Sequence, residues 1–167
     1  MKLLFPILAA LLLGACAAYG GRGLAPGTAW LAEVIGVMGK PAMRWQNPDG
    51  SVQLAYPRGP AGYHTFMVRI GPDGKLKSVD NVLEYKGFAQ IRPGMSEAQV
   101  LQVLGPPYPA WTSHFQARDE RVWQWHYCDD WYNAAHFSVL FDATSRTVRT
   151  AMSVSEQCGQ ANCVCTK

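Results

Sequence analysis

The stretch Ile91-Arg-Pro-Gly-Met-Ser-Glu-Ala-Gln-Val-Leu-Gln-Val-Leu-Gly-Pro-Pro107 decides the fold. Ser96 precedes Gln99 by three residues, the spacing of a capping box that starts a helix. Val100, Val103 and Leu104 then recur at helical intervals, which makes one face apolar. Gly105 stands where a left-handed C-cap belongs, and Pro107 cannot continue a helix. A short amphipathic helix therefore stops abruptly and hands over to extended chain.

Working outward, Val34-Ile-Gly-Val-Met-Gly-Lys-Pro41 repeats this pattern at an offset of 66 residues. Val34, Val37, Gly39 and Pro41 match Val100, Val103, Gly105 and Pro107, while Ile35 and Met38 meet Leu101 and Leu104. Trp30, Val34, Val37 and Met38 mark the apolar face of the first helix, and Pro26-Gly27 and Pro93-Gly94 precede the two segments. Strand-like runs follow at 43–46, 52–56, 63–70 and 76–83 in the first copy, separated by turns at 47–50 and 71–74. In the second copy they fall at 111–115, 122–128, 134–141 and 148–154, with turns at 116–120 and 143–146 and a longer loop at 129–133. The expected class is α+β: two tandem repeats, each a short helical segment followed by an antiparallel β-meander. A unit of about 65 residues buries only a thin core, so the copies should pack together, helices on one face of a continuous sheet of up to eight strands.

Gly94, Met95, Ser96, Val100, Leu104, Gly105 and Pro107 resemble, one by one, the helix pattern of the SmpA/OmlA (BamE-like) family of small outer-membrane lipoproteins. The resemblance covers about 60 residues of the second copy and extends more weakly to the first. It implies the helix-then-strands fold, a periplasmic address and a protein partner, for which the β-barrel assembly machinery is the family's example. Members serving that machinery are usually single units. A tandem pair resembles instead the β-lactamase-inhibitor protein architecture, in which a concave aromatic sheet grips a partner.

The amino terminus agrees with that address. Met1 and Lys2 give a positive start, and residues 3–13 form an apolar run too short to span about 30 Å of hydrocarbon. Leu13-Gly14-Ala15-Cys16 resembles the lipobox of bacterial lipoproteins, which predicts cleavage before a lipidated Cys16; an ordinary signal cut at Ala15 or Ala18 is the alternative. Ala17, where such lipoproteins carry Asp for inner-membrane retention, points to the outer membrane. The domain reading is a signal peptide at 1–15, the lipidated Cys16 and a flexible tether at 16–26, the two repeats at 27–90 and 91–155, and a disulfide-linked tail at 156–167. Removing Lys2 with the signal leaves 14 of the 15 basic residues against 12 acidic ones. No run of like charges remains to attract nucleic acid or a membrane surface, and attachment rests on acyl chains.

Cys128, Cys158, Cys163 and Cys165 are then an even set in an oxidising compartment, the pattern of two disulfides. A Cys163–Cys165 bond closes a very tight loop, so the favoured pairing joins Cys128 to one tail cysteine and the other two to each other. A four-thiolate metal site near His126 is the competing reading, against which stands the lack of two Cys-x2-4-Cys knuckles.

Residues 121–128 alternate as a strand, so Trp123, Trp125 and Tyr127 share one face. These rings either fill the core beneath a helix or, with Trp131 beyond them, form an exposed stripe that anchors a protein partner. Asp129 and Asp130 read as solvated loop carboxylates, and His64, His114, His126 and His136 show no ligand spacing. No Gly-x-Ser-x-Gly, phosphate-binding loop or His-x-x-x-His occurs. The expectation is a non-enzymatic module without catalytic residues, metal or cofactor other than lipid on Cys16, binding an envelope protein in outer-membrane assembly or integrity. An inhibitor-like or small-ligand-binding module of the same fold is the alternative. A metal-dependent hydrolase using His126, Asp129 and Asp130 is a third reading.

Overall fold

The computed structural model describes residues 20–59 and 62–166. It is an α+β fold of antiparallel sheets and few helices. Helix α1 (Leu31–Met38) leads into strands β1 (Met43–Gln46), β2 (Val52–Pro57), β3 (Thr65–Ile70) and β4 (Leu76–Asn81), paired in chain order as one four-stranded sheet. A single turn, α2 (Tyr85–Phe88), and helix α3 (Glu97–Leu104) follow. Strands β5 (Ser113–Phe115), β6 (Glu120–Cys128), β7 (Ala134–Asp142) and β8 (Val148–Ser155) form a second four-stranded sheet, again in chain order. A small hairpin of β9 (Gln157–Cys158) and β10 (Ala161–Asn162) closes the tail.

The α3 start forms as the sequence predicts, while its stop is a glycine at positive φ with an extended ψ of −175° and not the left-handed cap expected. Ser96 Oγ accepts the Gln99 amide, Gln99 Oε1 accepts the Ser96 amide, and Gly105 ends the helix at φ 73° with its N–H on the Leu101 carbonyl. Helix α1 lacks a side-chain cap; its first amide is satisfied by the Gly74 carbonyl of the β3–β4 turn.

The expected continuous eight-stranded sheet does not form, and the helices do not share one face. Val52, Leu54, Tyr56, Val68 and Ile70 point to α1, where they pack with Val34 and Met38. Ala55 and Met67, on the opposite face of the same strands, join one cluster with Val100 and Leu104 of α3 and with Trp123, Trp125, Phe137, Val139 and Phe141 of the second sheet. Helix α3 is thus held between the two sheets, giving the layer order α1, first sheet, α3, second sheet. Apolar residues on both faces of β2 and β3 require cover on both, and a helix seated there keeps the two sheets from joining edge to edge.

Other boundaries shift for local reasons. Residues 20–26, expected as the end of a flexible tether, pack onto the first sheet: Leu24 joins the α1 core and Gly27 donates to the Leu76 carbonyl. Strand β4 ends at Asn81, whose side-chain oxygen accepts the amides of Thr65 and Leu83 and turns the chain. The run at 111–115 begins in a 3-10 turn at Pro109–Trp111, because proline at its first position favours the turn over a ladder. No helix among the described residues is long and apolar enough to cross a membrane.

Candidate functional site: a histidine pair beneath Trp111

Strands β6 and β7 are joined by the loop at 129–133, which Cys128 and Ala134 close as a pair. The ladder register from that pair places His126 directly opposite His136. Their rings stack with centroids 4.8 Å apart and planes 9° from parallel. The tail brings Glu156 to them: its amide donates to the Ala134 carbonyl, and Oε1 lies 2.5 Å from His136 Nε2 and 3.0 Å from His126 Nε2. The His126 contact is within ion-pair reach but is not aligned as a hydrogen bond, which leaves both His126 nitrogens and His136 Nδ1 without a hydrogen-bond partner among the described residues. Burial alone would raise the Glu156 pKa; the close contacts with His126 and then His136 outweigh it and hold the carboxyl below its ordinary value.

Trp111, carried on the 3-10 turn after the Pro-rich exit from α3, stands edge-on to both imidazoles at 5.2 and 5.1 Å. Tyr108 packs edge-on against Trp111, and the Tyr63 ring lies 4.4 Å from His126. Beside this cap runs a cleft of about 300 Å³ whose walls are mainly apolar: Pro57, Leu83, Pro107, Tyr108, Trp111 and Trp125. His64, Thr65 and His126 are its polar residues. Burial, and then the positive charge of Arg58, lower the His64 pKa below its ordinary value.

The residues singled out from the sequence divide as follows. Cys16 lies outside the described residues. Cys128 pairs with Cys165 and Cys158 with Cys163, one of the two pairings left open once the tight Cys163–Cys165 loop is set aside. Trp123 and Trp125 are only 8% and 2% exposed and belong to the core under α3, with the Trp125 indole N–H on the Gly105 carbonyl. Tyr127 is half-buried against Phe88. Of the proposed stripe, Trp131 alone is open, at 84% exposure, next to the exposed Tyr132.

Asp129 is more than a solvated carboxylate, since Oδ1 accepts the amides of Trp131 and Asn133 and shapes the loop. The group that converges on His126 is His136 and Glu156, not Asp129 and Asp130 as the hydrolase reading had it. The sequence carried a signal for the histidine pair: a five-residue loop closed by 128 and 134 necessarily sets 126 against 136. Glu156 had no such signal, because it follows the Ala135–Ser155 pair of a β7–β8 ladder whose register shifts at Leu140–Phe141.

Protein-family models, curated proteins and solved structures were all compared with the chain, and none matches.

Proposed function

We propose that this protein is a lipoprotein, anchored through Cys16 at the periplasmic face of the outer membrane, that acts as a protein-binding module without catalytic turnover. The observation that carries the reading is the Trp131–Tyr132 pair. A tryptophan held almost wholly in solvent gains nothing for folding, yet this one sits on a loop shaped by Asp129 and clamped beneath by the Cys128–Cys165 disulfide. Rigid, exposed aromatic anchors are what protein interfaces favour, because little conformational entropy is lost when they dock. Gly20 is four residues beyond Cys16, and four residues reach at most about 14 Å, so the lipid would hold the first sheet near the leaflet.

The chain reads as two tandem BamE-like units. Supporting this, Gly39 and Gly105 adopt nearly the same backbone angles after their helices, φ 80° and ψ −166° against φ 73° and ψ −175°. Both carbonyls accept from an aromatic residue on the second strand of the following meander, Tyr56 at 3.1 Å and Trp125 at 3.2 Å. The inhibitor-like grip by an aromatic sheet face loses its support, since Trp123 and Trp125 lie under α3. The apolar cleft beside Trp111 favours a second reading, a module that binds a small, largely apolar ligand.

A photo-cross-linking residue at position 131, compared with the same residue at the exposed His114, tests the main reading in intact envelopes. The expected product is one specific adduct with an envelope protein at 131, absent at 114 and reduced in a Cys16→Ala form. Trp131→Ala should weaken the isolated complex by about 2 kcal/mol, roughly thirtyfold. Equal labelling at both positions, or none at 131, overturns the protein-binding reading and leaves the cleft as the binding feature.

A further inference from the structure

We infer that His126, His136 and Glu156 form a binding site for a late first-row divalent cation, Zn²⁺ by the chemistry of the donors. Two imidazoles and one carboxylate are the three-ligand set that holds zinc where the fourth position is left to water or another small ligand. One donor atom from each residue lies within 4.8 Å of the others. Around a tetrahedral zinc, donors at about 2.1 Å from the ion are about 3.4 Å from one another. Opening the present contacts of Glu156 Oε1, 2.5 Å to His136 and 3.0 Å to His126, by side-chain adjustment alone would admit the ion.

The second observation concerns what the site lacks. His126 is nine-tenths buried and its Nδ1 and Nε2 are both without a hydrogen-bond partner, as is His136 Nδ1. Leaving a buried polar atom unsatisfied costs about 1–3 kcal/mol, and of the three it is His126 Nε2 that faces the Glu156 carboxylate and that an ion there would satisfy. An ion taken by the two Nε2 atoms, which face the same Glu156 oxygen, would satisfy them and place the ring protons on Nδ1. Trp111 and Tyr63 wall the rings from bulk water, which strengthens the attraction between the cation and the carboxylate.

Two further features bear on which metal and how tightly. The four cysteines of the described residues are all in disulfides, so no thiolate competes for the ion. A nitrogen–oxygen donor set without sulfur suits Zn²⁺ over Mg²⁺ or Ca²⁺, which prefer all-oxygen shells. Among the described residues neither Nδ1 has a hydrogen-bond partner, so they do not supply the outer hydrogen bonds that tighten closed zinc centres.

The test is a titration of the full, disulfide-bonded chain, stripped with EDTA, with Zn²⁺ by calorimetry and with Co²⁺ by visible absorption. One equivalent is expected to bind, with shifts in the ring resonances of His126 and His136 but not of His114. His136→Gln and Glu156→Gln should each weaken binding by more than about a hundredfold, beyond the 10–100-fold cost of losing an outer-shell partner. His114→Gln should bind as the parent does. Absence of saturable binding to the unaltered chain, or ring shifts confined to other histidines, overturns the assignment without reliance on any variant. Unchanged affinity in folded His136→Gln and Glu156→Gln proteins does so too.

Discussion

Gly39 and Gly105 offer a matched pair of perturbations that separates backbone strain from packing. Both occupy a positive-φ, extended-ψ region that is nearly reserved for glycine, where a side chain costs about 1–3 kcal/mol. A Cβ added at Gly39 meets nothing within 4 Å. At Gly105 it would lie 2.8 Å from Thr65 Cγ2 and 3.4 Å from Ala55 Cβ. Thr65 and Ala55 are themselves buried on the face of the first sheet that receives α3, so neither can move aside freely. Overpacking of this kind adds about 1–3 kcal/mol. Gly39→Ala should therefore destabilise by about 1–3 kcal/mol and Gly105→Ala by about 2–6 kcal/mol.

Equilibrium unfolding in urea, monitored by tryptophan fluorescence, measures both. Thr65→Ser, which deletes the clashing methyl, should recover most of the excess in the Gly105→Ala background while leaving Gly39→Ala unaffected, as a double-mutant cycle would register. Equal losses at the two glycines, or no recovery with Thr65→Ser, would refute the placement of α3 against the first sheet. The logic needs only the difference between the two sites, in which the shared backbone strain cancels.

Three further outcomes follow from single features. Ser96→Ala removes the capping-box acceptor of α3 and should cost about 1 kcal/mol, read as a lower urea midpoint with an unchanged slope. Asp142 is held at a pKa of about 2 by the Ser145 amide and then by Arg149, below the ordinary 3.8. Its contribution is complete above about pH 4 and vanishes as the pH falls through 2, so thermal unfolding between pH 5 and 2 should decline less steeply in Asp142→Asn. Replacing Cys128 and Cys165 together, which span 37 residues, should cost up to about 4 kcal/mol against about 2 kcal/mol for the five-residue Cys158–Cys163 pair, measured by denaturant unfolding.

What could be read in the sequence was local. Helix α3, its cap and its stop lie within seventeen consecutive residues, and the turns that punctuate the strands carry Gly, Pro and Asp where backbone geometry asks for them. The layer order was harder to read, because it depends on contacts distant in the chain. Strand β2 is buried along its length, yet Gln53 interrupts its apolar run and makes it look one-sided. In the fold Gln53 is buried because its side chain reaches the Gln102 carbonyl on α3. Trp123 and Trp125 were legible as a shared face but not as core, since periodicity says which residues point together and not what lies opposite them. The histidine pair was recoverable from the loop length, whereas Glu156 required the β7–β8 register, which shifts at Leu140–Phe141.

The tail also connects the disulfides to the histidine site. Ala134 donates its amide to the Cys163 carbonyl, and its own carbonyl accepts the Glu156 amide, so one residue of β7 positions both flanks of the tail hairpin. Between those flanks the Cys158–Cys163 bond closes the hairpin, and beyond it the Cys128–Cys165 bond ties the chain end to β6. Glu156 lies just outside β8, where little apolar surface would hold it, and the residues of β9 and β10 are exposed. Backbone hydrogen bonds exposed to water contribute little restraint alone, so the covalent links add to the β7–β8 ladder, whose last pair, Ala135 with Ser155, already sets Glu156 beside the imidazoles. The ladders therefore assemble the group, β6–β7 pairing the histidines and β7–β8 delivering the acid, and the disulfides hold the tail that follows it.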